Sequence, residues 1–379
     1  MPLYVPTERL GTPWAEATSR LRTVICVHEA GNGLAKMNVE NPTTIKVAVV
    51  GARGIGKHHA EWWAAAGADL CAFAGTSEET VAQTRGILED RFGFHGRGYV
   101  GVAAMLDNEA PDIVDVCSPH QKHAEHVRAA LEAGCHVLCE KPLVFAPGVP
   151  REALVAQGRD LVQLAEGGGR RLGVCTQYAM AASSFLRIWR ERRSDEPIRE
   201  YRGHLESPAR GRGPDPRRVW VDLSPHLISV AQRLAPDGEV DWHSAKIAFN
   251  GYEARAAFDV RRPSGGSLHC ELLARNATAP PRNVRKFVFN DYEFVVEGET
   301  GPDGVYGARI ETPDGGVHEP DAMRALIQAF LAGETVADGH DGLINLDIML
   351  QILELGTATG RVRADYDGAR PGTVAGARP

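Results

Sequence analysis

From Thr44 to about Tyr178 the chain alternates between short apolar runs and helix-like segments, and this alternation restricts the fold more than any other feature. TIKVAVV, DLCAFAG, DIVDVCS, CHVLCE and RLGVCTQY read as buried strands, since each is a brief apolar run bounded by turn residues. KHHAEWWAAAG, SEETVAQTRGILEDRFG, HAEHVRAALEAG and REALVAQGRDLVQLAEGGG read as helices that stop at glycine. GYVGVAAMLDNEAP adds a short strand and helix. Buried strands separated by helices predict an α/β unit, a doubly wound parallel sheet with right-handed crossovers.

Beyond Ile198 the texture changes to polar-alternating strands: IREYRGHLES, HSAKIAFN, EARAAFDVRR, GSLHCELLAR, RKFVFN, YEFVVEGE and VYGARIETPDG. Turn signals such as PSGG separate several of them, which predicts a mostly antiparallel open sheet. DAMRALIQAFLAG and DGLINLDIMLQILELG then return to helix, completing an α+β domain. The expected organisation is a poorly ordered leader over 1–43, an α/β domain over 44–168, an α+β domain over 169–365, and a disordered tail over 366–379. The leader lacks the basic-then-apolar design of a secretory signal and is expected to carry no chemistry.

A chain of 379 residues with 43% hydrophobic content can bury two cores. Its net charge of −7 gives no strong basic field for nucleic acid or an anionic membrane, and no stretch reaches transmembrane length. Seven cysteines, several inside apolar runs and none in C-x-x-C, suit buried thiols in a reducing cytoplasm better than disulfides or a metal site.

Residues 47–59, VAVVGARGIGKHH, join the first strand to the first helix, where a dinucleotide fingerprint would place G-x-G-x-x-G. Gly51 and Gly56 fill its first and third places, Arg53 stands in its second, and Gly54 follows. Gly51 permits the tight turn, Gly54 or Gly56 allows close approach, and the amides around Ile55 at the helix start suit a pyrophosphate. Sites that prefer NAD place a carboxylate at the end of the second strand, to bond the ribose 2′-OH. Here that strand runs into Ala74-Gly75-Thr76-Ser77. The hydroxyls of Thr76 and Ser77, with Arg53 across the loop, suit a 2′-phosphate and tilt the expectation from NAD towards NADP. Ser77 is equally suited to cap its own helix.

Two further stretches bear on the chemistry. SPHQKHAEHVRAALEAGCHVLCEKPL pairs an S-P-x-x-x-H turn with a strand ending in Glu140-Lys141-Pro142, and VWVDLSPHLISV spaces Asp222 four residues before His226. With the glycine loop upstream, the chain resembles the glucose–fructose oxidoreductase / inositol dehydrogenase / rhizopine-catabolism (Gfo/Idh/MocA) family, densely over residues 45–145 and more loosely to Leu355. The resemblance implies an N-terminal Rossmann domain, a nicotinamide cofactor and hydride transfer at a secondary alcohol or ketone of a sugar, cyclitol or related polyol. It makes Lys141 the active-site lysine, Ser118, Pro119 and His123 the turn along the cofactor, and Glu140 the residue steadying its ribose end. Asp222 and His226 match the family's D-x-x-x-H pair.

The chemistry suits these residue types. An ammonium beside a carbonyl or alkoxide stabilises developing negative charge. Pro142 holds Lys141 in extended geometry. At i and i+4, at the start of a helix, Asp222 and His226 share a face, so the carboxylate can orient the imidazole that exchanges the hydroxyl proton. Pro225 departs from the glycine-rich surroundings usual in the family and suits a first helical turn. The resemblance places His120 in the cofactor turn, where a contact with the nicotinamide ribose is expected, and makes Tyr178 a candidate substrate contact along with Lys141, Asp222 and His226. His58 and His59 are expected to pack or face solvent, and Arg210, Arg212 and Arg217 to form a surface loop near the cleft. The family also implies a homodimer or homotetramer, and leaves open two alternatives: an NAD-dependent glycoside hydrolase and a non-catalytic NAD(P)-binding regulator.

Overall fold

The structure is a computed structural model describing residues 44–194, 196–280, 282–301, 304 and 306–367, with side chains to residue 356. The leader expected over 1–43 and nearly all of the tail expected from 366 lie outside these residues.

The first half runs β1 (Lys46–Val50), α1 (Gly56–Ala65), β2 (Asp69–Gly75), α2 (Glu78–Phe92), β3 (Arg97–Val100), α3 (Val102–Glu109), β4 (Ile113–Val116), α4 (His123–Glu132), β5 (His136–Cys139), α5 (Arg151–Gly167) and β6 (Leu172–Val174). Its strands form one all-parallel sheet in the order β3-β2-β1-β4-β5-β6, the dinucleotide-binding order of a doubly wound fold. β1 and β4 are the neighbours where the winding reverses, paired from Val47↔Ile113 to Val50↔Val116. A crevice opens there, beyond the carboxyl ends of the strands. Gly51, Ser118 and Lys141 all follow strands that end at this edge. β6 pairs with β5, so the first sheet runs past residue 168, where the sequence placed the domain boundary.

The second half comprises α6 (Gln177–Arg193), β7 (Glu200–Pro208), α7 (Pro216–Leu234), β8 (Glu239–Asn250), β9 (Glu253–Arg261), β10 (Ser267–Ala277), β11 (Val284–Phe289), β12 (Tyr292–Thr300), β13 (Tyr306–Thr312), β14 (Gly315–Pro320), α8 (Ala322–Leu331) and α9 (Gly339–Asp367). Its eight strands are ordered β14-β13-β12-β11-β7-β10-β9-β8, antiparallel except for β7 and β10. Alternate residues of β9 and β10 are buried, so one face packs on helices and the other stays open. Two elements were not expected from the sequence. α6 replaces the connection that followed the strand ending at Tyr178, and β14 extends the sheet at its edge.

The helices tie the two sheets together. Phe330 of α8 meets Trp63 of α1 edge-on at 6.4 Å, and Met323, Leu326 and Ile327 join the core beneath β1 and β5. α8 therefore covers the first sheet, although it lies in the second half of the chain. α7 is anchored on α9 by the Trp220 indole donating to Met349 O at 3.0 Å and by Asn345 donating to Pro225 O at 2.9 Å. No helix among the described residues is long and apolar enough to cross a membrane.

Candidate active site

The loop after β1 is built around two close approaches. Gly51 has φ +87°, and a Cβ there would lie 2.9 Å from Cys117 O and Ser118 N. A Cβ on Gly56 would lie 2.5 Å from Gly51 O. These glycines let β1, β4 and α1 converge, whereas Gly54 faces open space and Arg53, Gly54 and Ile55 are exposed. No side chain caps α1, so its first amides are available to an anion at the crevice. A bare cradle of this kind fits a dinucleotide pyrophosphate.

The adenosine end is less open than the sequence suggests. Ser77 accepts from Thr80 N at 3.2 Å, and the Thr80 hydroxyl in turn accepts from Ser77 N at 3.1 Å, forming a reciprocal cap on α2. The Ser77 hydroxyl is thus committed to its helix. Thr76 is exposed, with its hydroxyl 3.5 Å from that of Thr80.

The turn after β4 separates into a core and a rim. His123 is fully buried, with Nε2 2.8 Å from Ser118 O and Nδ1 2.8 Å from Pro142 O. It straps the Ser118 turn to the segment carrying Lys141, and lies inside rather than along a ligand surface. His126 approaches the Ser118 hydroxyl at 2.9 Å. Pro119 is exposed, and His120 stands at the cavity edge against His123 and Phe145. Burial, then the nearby Lys141 charge, pushes His120 down to about 4, so it is neutral at physiological pH.

Lys141 begins the segment after β5, and its peptide bond to Pro142 is cis. Its ammonium donates to Asp222 O at 2.7 Å and to Asp222 Oδ1 at 3.0 Å. Burial opposes the lysine charge, yet Asp222 and then Glu140 outweigh it and raise its pKa. Burial likewise opposes the Asp222 charge, and Lys141 overturns that to lower it. The site thus rests as an ammonium–carboxylate pair.

This pairing corrects two expectations. Asp222 and His226 sit mid-helix in α7, not at its start, and Pro225 is an interior proline. No hydrogen bond joins Asp222 to His226 among the described residues, because the carboxylate is taken by Lys141, a full charge against a neutral ring. His226 is 8% exposed, and its Nδ1 is buried without a partner. Burial, then Lys141, pushes His226 down to about 3 and keeps it neutral. Tyr178 lies in the first turn of α6 and packs its ring edge-on behind His226 at 5.4 Å. It supports that imidazole rather than lining the site, and the neighbouring Gln177 faces the cavity instead.

Ile55, Cys117, Ser118, His120, Glu140, Lys141, Gln177, Asp222, His226 and Met323 enclose a cavity of about 340 Å³. A wider cleft of about 1360 Å³ shares His120 and Asp222 with it and is walled by Phe145, Val221, Leu350, Arg212 and Arg217. Arg210 is not part of that wall. His59 packs, one of the two outcomes expected for it, but its place between the buried Asp115 and Glu140 under the cavity was missed from sequence.

Residues 45–176 match the family described as "Oxidoreductase family, NAD-binding Rossmann fold". Inositol 2-dehydrogenase of Azotobacter vinelandii is 25% identical over 332 residues, covering 84% of this chain and 87% of that protein. D-glucoside 3-dehydrogenase of Escherichia coli K12 is 57% identical, but over 49 residues, 13% of this chain and 14% of that protein. Among solved structures, scyllo-inositol dehydrogenase of Lactobacillus casei with NAD(H) and scyllo-inositol matches with a TM-score of 0.60 at 17% identity, covering 83% of this chain and 96% of that one. With the parallel sheet, the glycine cradle at its reversal point and the lysine after β5 in place, residues 45–176 form an NAD-binding Rossmann domain of the kind found in that oxidoreductase family, and the chain as a whole is similar to its members.

Proposed function

We propose that the chain is a dehydrogenase that moves hydride between a nicotinamide cofactor and a secondary alcohol or ketone carbon of a sugar, cyclitol or related polyol. The observation that carries this reading is the Lys141–Asp222 pair, set at the reversal edge of a parallel sheet in a cavity shared with a neutral His226. A nicotinamide held there would supply the hydride acceptor or donor. Lys141 binds the substrate oxygen and stabilises the negative charge that grows on it as the hydroxyl proton leaves in oxidation, or as hydride reaches the carbonyl carbon in reduction. Asp222 holds the lysine at that point. His226 accepts the hydroxyl proton in oxidation and returns it in reduction, a role open to an imidazole that enters the reaction neutral. The cavity fits one sugar ring, and the adjoining cleft gives room for a substituent beyond it, as in a glycoside. Similarity to inositol and glucoside dehydrogenases supports this substrate class.

The cofactor preference in this reading is NADP. Support comes from the missing carboxylate at the end of β2 and from the exposed Arg53 and Thr76, while Ser77 contributes through its cap alone. The chain acts in the cytoplasm as a homodimer or homotetramer joined through the open face of the second sheet.

The test is spectrophotometric. Sugars, cyclitols and simple glycosides are offered with NAD and NADP in parallel, and at least one should give a net change at the nicotinamide band. Release of free sugar without that change would instead identify a glycoside hydrolase, and cofactor binding without turnover of any substrate a regulator. Arg53→Ala should weaken NADP binding several-fold while sparing NAD; equal loss of both removes the NADP assignment alone.

A further inference from the structure

Beneath the cavity lies a chain of buried charge that the proposed reaction does not use. His59 Nδ1 stands 2.9 Å from Asp115 Oδ2, with both side chains fully buried. On its other side, His59 Nε2 is 3.3 Å from Glu140 Oε1, an ion-pair contact at the long end of hydrogen-bonding distance. Asp115 Oδ2 also accepts from the Trp63 indole at 2.6 Å. Cys117 Sγ lies 3.3 Å from His59 Nδ1 and 3.4 Å from Asp115 Oδ1, and Cys175 completes the surround. These donor atoms are close enough to suggest a metal ion. Both imidazole nitrogens, however, already face carboxylates, and burial pushes both thiols well above their usual range.

Two buried carboxylates on opposite sides of one ring leave a narrow choice of charge state. A neutral imidazole offers one N–H to two anions, and the second anion would then be buried with no donor from that ring. An imidazolium offers one N–H to each. The ensemble then carries one net negative charge, and Glu140 delivers it to the wall of the cavity beside Lys141.

We propose that His59 is a positioning residue, a buried imidazolium clamped between Asp115 and Glu140, which fixes Glu140 as an anion in the cavity wall and so favours the oxidised, cationic nicotinamide over the reduced, neutral one. This rests on reading the cavity as a nicotinamide site. The groups facing His59 are Asp115 and Cys117 at the end of β4, Glu140 after β5, Cys175 after β6, and His58 and Trp63 on α1. Those facing Glu140 are His59, Lys141, His226 and Cys175, with Cys139, His120 and His123 also within its electrostatic reach. Burial pulls His59 down, but Asp115 and Glu140 outweigh it and hold it at about 10. Burial pushes Glu140 up, and His59 and Lys141 reverse that to about 2. Between these limits both groups keep their charge, so the preference for the oxidised cofactor is flat with pH.

The test compares dissociation constants of the oxidised and reduced dinucleotides from pH 5 to 9, by calorimetry or cofactor fluorescence. It uses the intact protein, His59→Gln and Glu140→Gln, with folding checked by circular dichroism. Glu140→Gln should lower the oxidised-over-reduced preference about tenfold at every pH, the size of one charge contact at intermediate dielectric. His59→Gln should lose the preference at the acid end, where Glu140 now protonates, and regain part of it towards alkaline pH. Nitrogen NMR of the unaltered protein should find both ring nitrogens of His59 protonated at pH 8, a result that does not depend on any variant folding. A neutral His59 at pH 8, an unchanged preference in both variants, or a stoichiometric metal ion in the purified protein would overturn the inference. Loss of the preference with retained binding separates this device from the site itself. Failure of the unaltered protein to bind any dinucleotide would overturn both.

Discussion

Lys141, just beyond β5, reaches across the crevice to the middle of α7 and donates to both the carbonyl oxygen and the carboxylate of Asp222, at 2.7 and 3.0 Å. One side chain thereby joins the cofactor-binding half of the site to the half that carries His226. The bond to the carbonyl is independent of ionisation, and the bond to the carboxylate sets the charge.

Replacing Asp222 by Asn separates these two bonds. The backbone contact survives, while the charge that holds Lys141 in place is removed. Turnover should fall by up to about 10²-fold, the usual effect of loosening a reacting group, with dinucleotide affinity unchanged. Asp222 helps raise the Lys141 pKa, so the alkaline limb of the rate profile should move to lower pH in the variant. An unmoved alkaline limb would show that the pair does not govern the lysine charge.

His226 makes an opposite claim about acid pH. Burial and Lys141 hold it at about 3, so it is already neutral throughout the range where an ordinary histidine titrates. The kcat/KM profile, which reports free-enzyme groups, should therefore show no limb between pH 5 and 7 that belongs to His226. A limb near pH 6.5 that vanishes in His226→Asn would contradict the desolvated imidazole.

The glycine loop offers a clean pair of substitutions. Gly51→Ala places a methyl against the backbone of residues 117 and 118 at a positive φ, and should destabilise the protein by about 2 kcal/mol or more. Gly54→Ala meets nothing in the protein and should leave the melting temperature unchanged while weakening dinucleotide binding. If Gly54→Ala binds dinucleotide as before, the cofactor backbone does not approach there.

The first sheet was legible in the sequence because its strands other than β3 are largely buried and four of its five helices, α1, α2, α4 and α5, stop at glycine. α6 was not, since AMAASS is small and nearly featureless and its basic end, RIWRERR, reads as any solvated surface. β14 was hidden for a similar reason, as GGVHEP has too little alternation to announce a strand. The sequence singled out Lys141, Asp222 and His226, which the structure brings to one cavity, but it did not foresee the Lys141–Asp222 pairing. Helical spacing put Asp222 beside His226, and no local pattern reveals that a lysine 81 residues away will compete for it. His59 shows the same limit, because a histidine after a glycine loop carries no mark of the two carboxylates that fold over it.

The most direct measurement is single-turnover hydride transfer in Lys141→Met, followed at the nicotinamide band, with dinucleotide binding measured alongside. The account predicts that binding persists and that transfer slows by about 10²-fold or more, since the charge that stabilises the reacting oxygen is gone. Transfer at the unaltered rate in a variant that still binds cofactor and substrate would contradict it.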